Sequence, residues 1–155
     1  KERIKELDSL KCYTLRQHRT VYGGGGIMPD HYVPLDTTIY TPFYREIAAK
    51  SYIINANLRY VDTHRKQLQK QYPVFETFKN TYEVPQDVID QMLAEAAKDG
   101  VKPKDDAELQ KSLPSLRLQM KALVARDLWN MDEYFSIMNE QNDIVMKAIQ
   151  LLQHP

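Results

Sequence analysis

The stretch Leu116–Met138, LRLQMKALVARDLWNMDEYFSIM, decides the fold class. Leu116, Met120, Val124, Leu128, Met131, Phe135 and Met138 recur in it four or three residues apart, the spacing that a helix winds into one apolar stripe. Pro114 reads as the start of this helix or as a kink in it. Trp129 reads as a core anchor. The stripe has a second reading, as a methionine-rich groove for a peptide or partner helix.

Helical signals extend on both sides. After the stripe, NDIVMKAIQLLQ predicts a final helix, following a break near Asn139 to Asn142. Before it, PQDVIDQMLAEAAKDG predicts a helix opened by Pro85 and closed by Gly100. PVFETFKNTYE predicts one short helix. Ile54, Leu58, Val61 and Leu68 lie at helical spacing in a segment that Pro73 ends. TPFYREIAAK opens with Thr41 as N-cap and Pro42 at the first helical position. The fold class is therefore mainly α: a bundle of about five to six helices, with roughly two thirds of the chain helical.

Residues 11 to 36 have a different composition, rich in Tyr, Val, Thr and Gly. They predict a strand from about Lys11 to Arg16, a turn at Gln17-His18, a strand from Arg19 to Tyr22, and a third extended piece from Ile27 to Leu35. Pro29 and Pro34 confine that third piece to an edge or irregular strand. A ribbon of this size is marginal in water by itself. Two domains are expected, 1–36 and 37–155.

Four of the five glycines are consecutive, Gly23, Gly24, Gly25 and Gly26, within YGGGGIMPD. A phosphate cradle needs the loop to enter a helix, and here it enters Ile-Met-Pro-Asp with no Lys-Ser/Thr behind it. An oxyanion loop needs a nucleophile nearby. The favoured reading is structural, since glycine permits close approach and unusual dihedrals between strands; a small anion-binding domain centred on the glycines is the weaker alternative.

Lys+Arg and Asp+Glu both number 21, a balance that argues against general nucleic-acid or anionic-membrane binding. No apolar run reaches the roughly 18 residues of a membrane span. One cysteine, Cys12, excludes an internal disulfide. His18, His31, His64 and His154 show no metal-ligand spacing, and no cofactor or metal is expected. Ser9, Ser51, Ser112, Ser115 and Ser136 stand in helix-like or capping contexts. Asp62, His64 and Arg65, within one helical turn, read as a solvated face. No catalytic residue can be assigned within the chain, which opens without an initiator methionine and reads as a piece of a longer protein.

The segment CYTLRQHRTVYGGGGIMPDHYVP resembles a motif of the carboxyl-terminal processing peptidases, or tail-specific proteases. Their pattern runs like Y-T-P-S-G-R-x-[IV], then G-[IV]-x-P-D and a short apolar strand. Tyr13-Thr14 and Arg19-Thr20-Val21 match the first part. Gly26-Ile27-Met28-Pro29-Asp30 matches the second, and His31-Tyr32-Val33 the strand. Leu15-Arg16-Gln17-His18 departs from the Pro-Ser-Gly turn. YREIAAKSYIINANLRYVDTHRKQL and MKALVARDLWNMDEYF resemble the helical tail of larger envelope-located members.

The resemblance implies a periplasmic or cell-envelope enzyme that cuts protein or peptide substrates with a serine activated by a neutral lysine. That serine and lysine, and a substrate-gripping PDZ module, would lie upstream of Lys1. The chain would carry the last strands of the catalytic sheet, with Gly23 to Gly26, Pro29 and Asp30 as a structural motif, and a supporting, oligomerising or regulatory tail. By itself it would be inactive, and its unpaired strands could self-associate.

Overall fold

The computed structural model describes residues 10–23, 31–34 and 38–153, which fall into two compact units, Lys1–Pro34 and Leu35–Pro155.

In the first unit, β1 (Lys11–Tyr13) pairs antiparallel with β2 (Thr20–Tyr22), in the register Lys11 to Tyr22, Cys12 to Val21 and Tyr13 to Thr20. The pairing extends to Gly23, whose N–H donates to the Leu10 carbonyl at 2.8 Å. β1 is shorter than the sequence predicts because Thr14 already closes the turn. Its N–H donates to Arg19 O and its carbonyl accepts from the His18 N–H, while its hydroxyl accepts from the Arg19 N–H at 3.0 Å. His18 completes the reversal with a left-handed φ of 47°. By strand alternation Lys11, Tyr13, Thr20 and Tyr22 share one face, and Cys12 and Val21 the other. Five of these six side chains are exposed and Tyr22 is half-buried. The expected third strand is not seen where it can be checked: His31–Pro34 is irregular, and Pro34 has no N–H to offer a ladder. Residues 27–30 and 35 of that piece lie outside the described residues.

The second unit holds seven α-helices among its described residues, one more than the upper expectation. They are α1 (Pro42–Ala49), α2 (Tyr52–Gln71), α3 (Phe75–Thr81), α4 (Gln86–Lys98), α5 (Asp106–Leu128), α6 (Met131–Met138) and α7 (Asp143–Gln153). A 3-10 turn, Asn139–Gln141, precedes α7. Thr41 caps α1 as expected, its hydroxyl accepting from the Tyr44 N–H at 3.0 Å with Pro42 following. A left-handed Ser51, φ 62°, separates α1 from α2. α4 ends in a Schellman motif: Gly100, at φ +80°, donates to Ala97 O, and Val101 donates to Ala96 O at 2.9 Å. Val101 and Ala96 are both buried there.

The extra helix comes from the apolar stripe. α5 starts eight residues before Pro114, at an Asp105 cap whose Oδ1 accepts from the Glu108 N–H at 2.8 Å, so Pro114 lies inside the helix. The helix stops at Leu128. Trp129 leaves helical geometry, and the Asn130 side chain caps α6 by accepting from the Asp132 N–H at 2.7 Å. The change of direction splits the stripe. Leu116, Met120 and Val124 are fully buried, whereas Met131 and Phe135 are 48% and 51% exposed. In α2 the buried face is Ile53, Ala56, Asn57, Val61 and Leu68, leaving Ile54 and Leu58 mostly outside.

α5 is the spine, with α1, α2 and α6 packed along it and α4 against α2. Phe78 centres the aromatic part of the core. Its ring stacks on Tyr82 at 4.4 Å and meets the edges of Tyr72 and Trp129 at 5.4 and 5.3 Å. Trp129 thus anchors the core, as its sequence context suggests. Fully buried side chains such as Phe78, Ile89 and Leu116 each contribute about 1.5–3 kcal/mol.

Candidate functional site

Of the motif residues picked out in the sequence, Gly24, Gly25, Gly26, Pro29 and Asp30 lie outside the described residues. Gly23 is described, and nothing among the described residues demands glycine there. A Cβ at this position would meet only Leu10 O, at 3.8 Å, an ordinary contact.

His18 and His31 are exposed, and His64 stacks on Tyr60 at 4.6 Å. His154 is outside the described residues. Among the described residues no three of His, Cys, Asp and Glu are grouped so as to hold a metal, and no helix is long and apolar enough to cross a membrane. Cys12 is a free, exposed thiol.

Three polar assemblies do form, each from residues far apart in sequence. The first joins α1 to α5. The Glu108 carboxylate accepts from the Phe43 N–H at 3.1 Å and from the Lys104 N–H at 2.7 Å. Beneath it the buried Ser112 hydroxyl donates to Glu108 O at 2.6 Å. With that proton committed, Thr41 must be the donor in its 2.6 Å contact with Ser112 Oγ. The buried hydroxyls are thereby satisfied. A cleft of about 520 Å³, lined by Arg45, Lys104, Glu108 and Lys111 among others, opens beside this knot.

The second assembly joins α2 to the end of α5. Asn57, fully buried, donates through Nδ2 to Asp127 Oδ2 at 2.6 Å, and Arg65 donates to Asp127 O at 2.5 Å. Arg126 holds the other carboxylate oxygen at 2.8 Å. Arg65, from the cluster read as a solvated face, is therefore a tie between helices.

The third lies between the 82–86 linker, α5 and the 3-10 turn. Tyr82, Glu83, Val84, Pro85 and Gln86 face Pro114, Arg117, Leu118, Lys121 and Gln141 across a cleft of about 610 Å³. Arg117 donates to Val84 O at 3.0 Å and to Gln86 Oε1, and Lys121 donates to Lys79 O at 2.7 Å. Burial depresses the Lys121 ammonium pKa, opposed by the carboxylates of Glu140 and Glu83. Burial likewise raises the Tyr82 phenol, whose hydroxyl lies beside Tyr60 without closing a hydrogen bond.

A serine–lysine contact occurs that the sequence did not disclose: Lys79 Nζ donates to Ser136 Oγ at 3.1 Å. Glu140 sits 2.9 Å from the same ammonium and makes it one half of an ion pair. A serine–lysine dyad needs a neutral amine, so this contact braces α3 against α6. Its 57-residue separation gives no signal in sequence.

No curated protein and no solved structure matches the chain. A family model, described as a family of unknown function (DUF8443), matches residues 43–130, more than half of the chain and nearly all of α1 through α5. On that match the chain belongs to the DUF8443 family.

Proposed function

We propose that the chain is the C-terminal portion of a carboxyl-terminal processing serine peptidase of the cell envelope. The β1–β2 ribbon is the last part of its catalytic sheet and the helical unit a non-catalytic appendage. One observation carries this reading: five of the ribbon's six strand side chains are exposed, yet each face bears apolar groups, Tyr13 and the half-buried Tyr22 on one and Val21 on the other. Strands with apolar groups on both faces suit a sheet covered on both sides. An isolated two-stranded ribbon is marginal in water, so this one fits a role as an extension of something larger. His18 supports the same reading, since its left-handed φ falls where the peptidase pattern has the glycine before its arginine. Gly23 supports it too: with no neighbour among the described residues that requires glycine, the run suits close approach by a layer from outside the ribbon.

In this reading the serine, the lysine and the PDZ module belong to the upstream part, proteins or peptides are the substrates, and the helical unit supports, oligomerises or regulates the enzyme. The test is Gly24→Val and Gly25→Val in the whole enzyme. Both are expected to cut peptidase activity at least tenfold or to lower the melting temperature; unchanged activity and melting would overturn the reading.

A second reading, a stand-alone helical interaction module, has its own observation. α7 buries no residue and leaves Ile144, Ile149 and Leu152 exposed at 53%, 43% and 82%, while Met131 and Phe135 lie open on α6. A whole protein that cleaves no peptide and carries no serine–lysine machinery would favour this reading.

A further inference from the structure

We infer that the cleft between the 82–86 linker and α5 is a binding site for a carboxylate carried next to an apolar side chain, the chemistry of a peptide's C-terminal residue. The charges point there first. Arg117 and Lys121 stand one helical turn apart on α5, and their hydrogen-bond partners are all neutral: the carbonyls of Val84 and Lys79 and the amide oxygen of Gln86. Carbonyls satisfy donors without cancelling charge. Three of the guanidinium's five N–H donors and two of the ammonium's three remain available, and all belong to side chains lining one cleft. Neither cation forms an ion pair among the described residues.

Shape points the same way. The cleft's volume of about 610 Å³ lies within the range of small-ligand pockets. Beside the cations its walls are Val84, Pro85, Pro114 and Leu118, which suit an aliphatic side chain. The tether of Arg117 to the linker holds the guanidinium in place before any ligand arrives, Gln86 being fixed in turn by donating to Asp90 Oδ1 at 2.7 Å, and Gln141 adds a neutral donor at the edge. Burial depresses the Lys121 ammonium although the carboxylates of Glu140 and Glu83 lie near it, neither of them in ion-pair contact. Glu83 on the rim opposes an anion and sets a limit on how much negative charge the site accepts. A single carboxylate therefore suits it better than a dianionic phosphate.

The probe is acetyl-Ala-Ala-Leu with a free C-terminal carboxylate, added to the 155-residue chain and followed by backbone amide NMR shifts at Gln86, Leu118 and Lys121. The expected result is saturable shifts at these positions and an affinity roughly tenfold weaker for the same peptide amidated at its C-terminus. Lys121→Gln should weaken the free acid about tenfold, and Glu83→Gln, an exposed change that removes a carboxylate acting on Lys121, should tighten it about threefold. Equal binding of acid and amide would overturn the assignment. So would the absence of shifts at ~10 mM peptide, or inorganic phosphate binding the same residues as tightly as the peptide. If Lys121→Gln fails to fold, an unaltered affinity in Glu83→Gln is sufficient to overturn it.

Discussion

Glu108 and Phe43 are 65 residues apart in sequence, yet the Glu108 carboxylate of α5 takes the backbone N–H of Phe43 at the start of α1 at 3.1 Å. The side chain of one helix thus occupies the place an anion would take at the N-terminus of another, where the backbone donors and the helix dipole favour negative charge. Its second oxygen takes the Lys104 N–H at 2.7 Å, fixing the approach to α5 as well. Glu108→Ala strands both donors and is expected to destabilise the chain by roughly 2 kcal/mol, a fall of about 5–10 °C in thermal melting followed by circular dichroism. Glu108→Gln keeps an acceptor oxygen and should lose about half as much. Melting within a degree of the parent for the alanine variant would show the contact to be unimportant.

Gly100 and Gly23 make a contrast that separates dihedral strain from crowding. Gly100 has φ +80° and open space where a Cβ would go, so Gly100→Ala should cost only the left-handed backbone penalty, about 1–2 kcal/mol. Gly23 has neither a positive φ nor a close neighbour among the described residues, and Gly23→Ala in the isolated chain should change stability by less than about 0.5 kcal/mol. Urea unfolding of both variants checks the pair. Equal losses would contradict the assignment of Gly100 to the Schellman turn.

How much of this was legible in sequence follows from the range of each interaction. The Thr41–Pro42 start of α1, the Pro85 and Gly100 limits of α4 and the break before α7 were all readable, because capping chemistry acts within a few residues. The split of the Leu116–Met138 stripe was not. Periodicity continues across Trp129-Asn130, and only the capping side chain of Asn130 marks the corner. On α2 the period was correct and Val61 and Leu68 are buried as it predicts, but in the first half the buried face is turned by one residue: Ile53 and Asn57, which meets Asp127, sit in the core where hydrophobicity alone favours Ile54 and Leu58. The polar assemblies were invisible for a simpler reason, since Asn57–Asp127, Thr41–Ser112 and Arg117–Val84 are partners only after the helices pack.

Alkaline pH should weaken the fold. Burial pushes the Tyr44 phenol up to about 12, with Tyr40 and Tyr134 adding to the shift, and its O–H donates to Gln119 Oε1 at 2.6 Å. Tyr82 is raised as well, mainly by burial. An unfolded phenol ionises near pH 10. Above that pH the unfolded chain has released protons that the folded chain still holds, so stability falls as pH rises from about 10 toward 12. Lys121 acts in the opposite sense: its lowered pKa makes the folded state release a proton first, which lets stability rise through the window below 10.5. Tyr52, raised to about 12 chiefly by its hydrogen bond to Asp99, adds to the same trend, and with three phenols against one amine the net slope between pH 10 and 12 is expected to be negative. Tyr44→Phe should make it shallower in urea-unfolding experiments across that range. A flat profile, or a slope untouched by the substitution, would contradict the phenol assignment.

The most direct test of the peptidase reading labels the parent protein, with the segment preceding Lys1 present, using a fluorophosphonate serine reagent, and locates the adduct by mass spectrometry. The expected adduct lies on a serine upstream of Lys1, its formation is lost when a second upstream residue, a lysine, is replaced, and the 155-residue chain alone takes no label. An adduct on a serine within the 155 residues, or a parent that takes no label and cleaves no peptide, would contradict it.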